Sequence, residues 1–470
     1  MHYDWIFVLV YLLAQLFLAI YVTKFIKNEK DLFLGGRTIP VFVLSFSIFA
    51  TWFGAETCIG SSGAVFEQGL SGSKAEPFGY AMCLLLTALV IAPRIWNARY
   101  TTYGDFVKDR YGPSTEMVSI WIMVPSSIIW GAAQVRAFGE LISSVSPVSI
   151  GTGIAIAATF VVCYNFVGGF LADVITDLIH GLILGLALMA ILYFTFRHMG
   201  GVIPALSSIP HERLSFVSEG QSFWKRMDTW AIPIMGSLIA QELVARVLAA
   251  KGPRQAKVSG LYGCGLYLLF GSVPILLGLL GPYFHLNLDD REQFLPALAK
   301  TVLPSALYLL FSGALISAIL STIDSILLAN SALISHNLLI PRLGITEPRK
   351  KILCARVVIA LIGIICYFLA VGSDSIYKMV ETASSFGTAG VLIVTMVGLF
   401  SKKGNPLVAN TTLIMGLVYT VIFRYLIKVE APFLLTVLAV TVTFIVTNLA
   451  VKAKISLPKL DQSDELVVGK

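Results

Sequence analysis

Ala50-Thr51-Trp52-Phe53-Gly54-Ala55-Glu56-Thr57-Cys58-Ile59-Gly60-Ser61-Ser62-Gly63 lies midway along an apolar run long enough to cross a bilayer, yet it carries three glycines and a carboxylate. Thr57, Cys58, Ser61 and Ser62 crowd the same stretch. Glycines weaken a helix, and an ionised Glu near the membrane centre costs ~2.5 kcal/mol or more. Backbone carbonyls freed at that depth are tolerated only where they line a cavity or bind something. The stretch predicts a broken helix that holds a solute or an ion.

The rest of the chain agrees with a membrane setting. It has 470 residues, 57% hydrophobic and 13% charged, whereas soluble domains carry roughly 25% charged residues. Apolar runs of membrane-crossing length recur throughout and predict an all-α polytopic protein of about 13 transmembrane helices. Their cores lie at 5–24, 40–66, 77–97, 116–142, 147–167, 170–196, 228–249, 257–283, 303–335, 352–372, 376–400, 406–427 and 431–451. Even the longest connector, Arg197 to Met227, is too short for a second folded domain, so residues 1–470 form a single transmembrane domain.

The net charge of +7 follows topology rather than nucleic-acid binding. With Met1 outside, the cytoplasmic connectors hold Lys24, Lys27, Lys30 and Arg37, then Arg94, Arg99, Lys108 and Arg110. Later ones hold Arg246, Lys251, Arg254 and Lys257, then Arg342, Arg349, Lys350 and Lys351, then Lys402 and Lys403. Alternate loops are neutral, acidic or mixed, as in Asp289-Asp290-Arg291-Glu292. This is the positive-inside pattern. An odd span count puts the C-terminus, with Lys452, Lys454 and Lys459, in the cytoplasm. Asp4 precedes the first run and basic residues follow it, which predicts a retained N-out span rather than a cleaved signal. Short loops point to the plasma membrane of a bacterium. The six cysteines stand singly in or beside apolar spans and predict neither disulfide nor metal framework.

A second interrupted segment is Trp230-Ala231-Ile232-Pro233-Ile234-Met235-Gly236-Ser237-Leu238-Ile239-Ala240-Gln241-Glu242, in the seventh span. An ordinary kink explains either segment alone. Their placement five spans apart predicts two five-span units with a binding site at the membrane midplane. In the ninth span Ser321, Thr322 and Ser325 crowd Asp324. Such hydroxyls usually bond back to their own helix, but two of them with unwound carbonyls also supply the oxygens a hard monovalent cation needs. In the sixth span Asp173, Asp177 and His180 stand at i, i+4 and i+7 on one face. One His without a Cys partner is a poor metal set; a polar inner vestibule or cation exit route is the better expectation.

These elements, in this order, resemble the sodium:solute symporter family from about Asp31 onward. The markers are Phe33-Leu34-Gly35-Gly36-Arg37, Gly63-Ala64-Val65-Phe66, Gly168-Gly169 with Thr176-Asp177, Gln241 through Arg246 to Ala250-Lys251, and Ala318 through Ser321-Thr322. Ala50-Thr51-Trp52 and Ile129-Trp130-Gly131-Ala132-Ala133 look most like its choline-transporter branch. The resemblance implies a LeuT-type five-plus-five inverted repeat, with core repeats at about 40–196 and 228–400 and peripheral spans 5–24, 406–427 and 431–451. It also implies a sodium site formed by the carbonyls of Ala50, Phe53 and Ala318 and the hydroxyls of Ser321 and Thr322. Asp177, with Asp173 beside it, matches a position implied in cation release. The chain departs from the pattern at Glu56, where relatives carry small or neutral residues, at Ala240, where the choline branch has an aromatic, and at His180, where many relatives have Gln.

The candidate solute site comprises Trp52, Glu56, Trp130, Gln134, Gly236, Ser237 and Gln241. Two readings of Glu56 stay open: a counter-charge for an amine, or a carboxyl that is protonated or paired with Arg136. Arg136 with Glu140, and Glu242 with Arg246, have the spacing of intrahelical ion pairs, and Arg246 is expected at the cytoplasmic surface. Glu381 is a further candidate for the vestibule. No GxSxG, HExxH or P-loop pattern marks an enzyme, and the tail after the last span is too short for a signalling domain. The expectation is a sodium-coupled symporter importing a small organic solute, with an amine or amino-acid derivative preferred and no organic cofactor. A proton-coupled transporter or a solute sensor of the same fold is the alternative.

Overall fold

The computed structural model describes residues 4–456 apart from 98, 218, 219, 289 and 374. Met1, Asp289 and Lys459, and the side chains of Lys452 and Lys454, lie outside that description. Every regular element among the described residues is helical, as a lipid environment demands of a chain whose backbone groups must be satisfied internally. Among the described residues, nine helices are long and apolar enough to cross a membrane, and up to twelve if each of three bent pairs is one span. A shorter apolar helix, Leu9–Thr23, adds to these.

The second span is built in pieces. Val41–Trp52 is regular helix, Phe53 departs from it (φ −93°, ψ 65°), and a wide turn at Glu56–Gly60 leads into Ser61–Gln68. The sequence explains the stop: Gly54 follows a run of bulky apolar residues and contributes no side chain to hold the next turn. The backbone ladder closes with Phe53 N–H on Phe49 O and resumes across the gap with Cys58 N–H on Gly54 O. The seventh span breaks too. Phe223–Gly236 and Gln241–Ala249 are bent by 40° about residues 237–240. A third break, unexpected from the sequence, divides the eleventh span into Ile376–Ser385 and Thr388–Phe400.

The helices Phe170–His198, Pro253–Leu280 and Ser305–Ala332 wall the second span, so its break is enclosed by protein on those sides. Pro113–Val145 lies across Ser305–Ala332 and presents Ser126, Ser127 and Trp130 to the centre. Phe49, Phe53, Phe138 and Phe311 are fully buried there. In lipid such packing, rather than transfer from water, holds helices together.

Candidate functional site

Glu56 is 2% exposed, and its two oxygens are divided between two donors of one helix, Pro113–Val145. Trp130 Nε1 donates to Oε1 at 2.8 Å and Gln134 Nε2 to Oε2 at 2.6 Å. Gln134 also accepts the N–H of Ala55 at 2.9 Å, giving a partner to a donor that the broken helix leaves over. The pairing of Glu56 with Arg136, one of the readings left open by the sequence, does not occur. Arg136 binds Glu140 at 2.8 Å and turns to the main-chain oxygens of Ala370 and Ser373. A Cβ on Gly54 would lie 2.6 Å from Glu56 Oε2, 2.8 Å from Gln134 Oε1 and 3.0 Å from Thr322 Oγ1. Glycine is therefore what lets these polar groups converge at the break.

On the ninth span, Thr322 Oγ1 donates to Ala318 O at 3.2 Å, and Ser321 Oγ donates to Asp177. Both hydroxyl protons are thereby committed, and the oxygen lone pairs are left to face other partners. Behind them the structure overturns one expectation. Arg246 is not at the surface: it is 1% exposed and its Nη2 lies 2.9 Å from both Asp173 and Asp177. It further donates to Ser47 Oγ at 2.9 Å and Ser325 Oγ at 2.5 Å. In the polar region expected around Asp173 and Asp177, this guanidinium stands between them, and Asp173 and Arg246 line a small cavity there. An unpaired buried charge is far costlier than a paired one, and four helices meeting at one point bring Arg246 and its partners together. His180 is drawn away from that cluster, its Nε2 2.6 Å from Gln15 Nε2 on the first span. The intrahelical Glu242–Arg246 pair is also absent: Arg246 Nη1 reaches only the main-chain oxygen of Glu242, at 3.3 Å, while the Glu242 carboxylate accepts from Ser127.

A cavity of about 70 Å³ adjoins the two breaks. Trp52, Glu56, Trp130, Gly236, Ser237 and Gln241 line it, whereas Gln134 stands behind Glu56 and lines neither this cavity nor the next. The rings of Trp52 and Trp130 are 5.8 Å apart, and those of Trp52 and Tyr80 5.5 Å. Gly236 touches the third break: a Cβ there would lie 2.2 Å from Ser384 O. Ser384 Oγ binds Tyr80 OH at 2.7 Å and lies 3.4 Å from Ser237 Oγ. Tyr80, Ser384 and Glu76 were not predicted. Glu76 is buried and accepts from Thr57 at 3.1 Å and from Tyr267. A carboxylate beside Pro77 at the head of an apolar run resembles an interfacial residue, so its sequence carried no signal.

Glu56, Glu76 and Tyr80 also line a larger cavity, about 380 Å³, bounded by Lys225, Asp228, Glu381, Arg424 and Glu430. Glu381 does reach this vestibule, paired with Arg424 at 3.3 Å. The opposite, basic end is tied shut. Tyr103 N–H donates to Gln241 Oε1 at 3.2 Å, and Thr102 Oγ1 to Asn337 Oδ1 at 2.6 Å. Asn337 Nδ2 in turn holds Asp105 and Glu116, each at 2.9 Å. Burial pushes the Asp105 carboxyl up, but His336 and the N–H groups of Thr101 and Thr102 outweigh it and hold its pKa below the ordinary value.

The sequence model of the sodium:solute symporter family matches residues 32–416. Over 368 residues the chain is 25% identical to the high-affinity choline transporter 1 of Drosophila melanogaster, covering 75% of this chain and 59% of that one. The chain thus spans less than two thirds of that relative's length. It is also 25% identical over 434 residues to the osmoregulated proline transporter OpuE of Bacillus subtilis, covering 87% and 86%. A solved sodium-coupled sialic acid symporter in a substrate-bound, outward-open state superposes with a TM-score of 0.82 at 17% identity, over 96% of this chain and 97% of that one. The fold is that of the LeuT-type inverted-repeat transporters.

Proposed function

The chain belongs to the sodium:solute symporter family, and from that premise we propose that it is a sodium-coupled symporter importing a small organic solute by alternating access. The observation that carries the reading is the meeting, at Gly54, of a broken helix, the Thr322 hydroxyl and the Glu56 carboxylate beside a central cavity. The sodium ligands in this reading are the carbonyls of Ala50, Phe53 and Ala318 with Ser321 Oγ and Thr322 Oγ1, whose protons are already donated elsewhere. Asp177, bound to both Ser321 and Arg246, sets the charge behind that site, and Asp173 shares the load. The solute lies against Trp52, Trp130, Gly236, Ser237 and Gln241, with Glu56 at its edge. The repeats at 40–196 and 228–400 move against each other around it. We place the basic end in the cytoplasm by the positive-inside rule, with the N-terminus outside, so the larger cavity opens outward.

Thermal stability of the purified protein, measured against a panel of small metabolites in sodium or in potassium, tests this. A ligand that binds only the native state raises stability by mass action. The expected result is a stabilisation specific to one solute class that requires sodium. Shifts indifferent to the cation would overturn sodium coupling in favour of protons or a sensor, and no shift with any solute would overturn the transport reading.

A further inference from the structure

The central cavity holds three carboxylates, Glu56, Glu76 and Glu242, and among the described residues no lysine, arginine or histidine lines it. None of the three carboxylates makes an ion pair with a described residue. The larger cavity that leads to it adds Asp228, Glu381 and Glu430 against Lys225 and Arg424. A buried carboxylate without a cation either holds a proton or draws positive charge to it, and three around one cavity offer a cationic ligand a set of partners. They also stand at two levels. Glu242 is held by Ser127 and Glu56 by Trp130 and Gln134; at 1.5 Å per residue those anchors are offset by ~4.5 and ~10 Å along one helix. Trp52, Trp130, Tyr80, Met123 and Met235 contribute the apolar wall.

A second observation comes from the opposite kind of group. Gln241 is 3% exposed and lines the cavity; its Oε1 is taken by Tyr103 N–H, but its Nε2 has no partner. It opens the helix Gln241–Ala249, whose N-cap Ala240 offers no capping side chain and whose first turn already carries Glu242, so that the Gln241 amide is the donor there without a partner. That amide donor beside one carboxylate matches the carboxylate and ammonium of an amino-acid head. The other carboxylates, beyond the aromatic wall, match a second cation at the end of an extended side chain.

Building on the symport reading, we infer that the solute is a cationic amino acid of the lysine, ornithine or arginine class. Its carboxylate faces Gln241 Nε2, its α-ammonium faces Glu242, and its side-chain cation reaches Glu56 and Glu76. A neutral amino acid leaves Glu56 and Glu76 uncompensated, and a diamine leaves Gln241 Nε2 unpaired.

Calorimetric binding to the full chain in lipid nanodiscs with sodium tests this using L-lysine, L-norleucine and cadaverine, which keep or remove one group each. L-lysine is expected to bind at least roughly thirtyfold tighter than either, the lower range for removing one partner of a buried charge pair. Glu56→Gln should shrink the lysine preference over norleucine about tenfold, and Gln241→Leu the preference over cadaverine; the wild-type series stands even if a variant misfolds. Equal binding of norleucine or cadaverine overturns the inference. So does sodium-dependent binding of proline, choline or a sugar with none of L-lysine, which leaves the symport reading intact. No sodium-dependent binding by any of these compounds overturns both.

Discussion

Replacing Arg246 by Leu removes the one guanidinium on which Asp173 and Asp177 converge, and the consequence can be sized from the contacts. Each Nη2 contact at 2.9 Å is worth ~6 kcal/mol of gross attraction at an effective dielectric of ~20. In the intact protein, desolvation of the three buried charges cancels most of it. Once the cation is gone the carboxylates stay buried, at 3% and 0% exposure, without compensation. A loss of about 3–5 kcal/mol follows for breaking a buried pair from one side. Thermal unfolding of the purified variant in matched detergent should show a clearly lowered midpoint. The triple variant Arg246→Leu, Asp173→Asn, Asp177→Asn removes the charges together and should recover most of the loss, since neutral replacement of a whole buried set is often tolerated. A single variant as stable as the parent, or a triple variant no better than the single, would refute the claim that the cluster is held by mutual charge compensation.

Ser321→Ala or Thr322→Ala should weaken sodium-dependent stabilisation about tenfold or more, taking ~1.5–3 kcal/mol for a lost contact to a charge, with little change in protein yield; unaltered sodium titrations in both would remove these hydroxyls from the site. Gly236→Ala places a Cβ 2.2 Å from Ser384 O; a cost of about 1–3 kcal/mol is expected for such overpacking, measurable as a lower melting midpoint. Asp105, whose pKa is lowered in the folded protein, contributes to the inner closure above the ordinary aspartate value and ceases to do so as pH falls through its lower native value. Labelling of a cysteine introduced at Gln241 by a reagent added on the basic side should therefore rise in acid, and Asp105→Asn should raise it already at neutral pH.

The apolar runs, the positive-inside pattern and the two expected breaks were legible because each is a local property. Span length follows from consecutive side chains, and a break follows from glycine or proline within one helix. The Ser321–Thr322 pair was visible for the same reason, being adjacent on one turn. The break at Phe386-Gly387 was not, because Ser385-Phe386-Gly387 is short and mild in composition; Gly387, at φ 70°, is its one local trace. What Glu56, Glu76 and Arg246 touch could not be inferred in this way. Glu56 and Arg136 suggested a pair by charge alone, yet Trp130 and Gln134 on the facing helix hold the carboxylate. Arg246 looked like a surface residue because it stands close to Lys251 and Arg254 in the sequence, but the rotation of its helix turns it toward Asp173 and Asp177. By itself, then, the sequence determined which segments are long and apolar enough to cross the membrane, where two of them are interrupted, and where two adjacent hydroxyls stand on one turn of the ninth span. Only the packing of the helices decided which buried charges are paired and which make no ion pair among the described residues, because pairing depends on distances between residues tens or hundreds of positions apart.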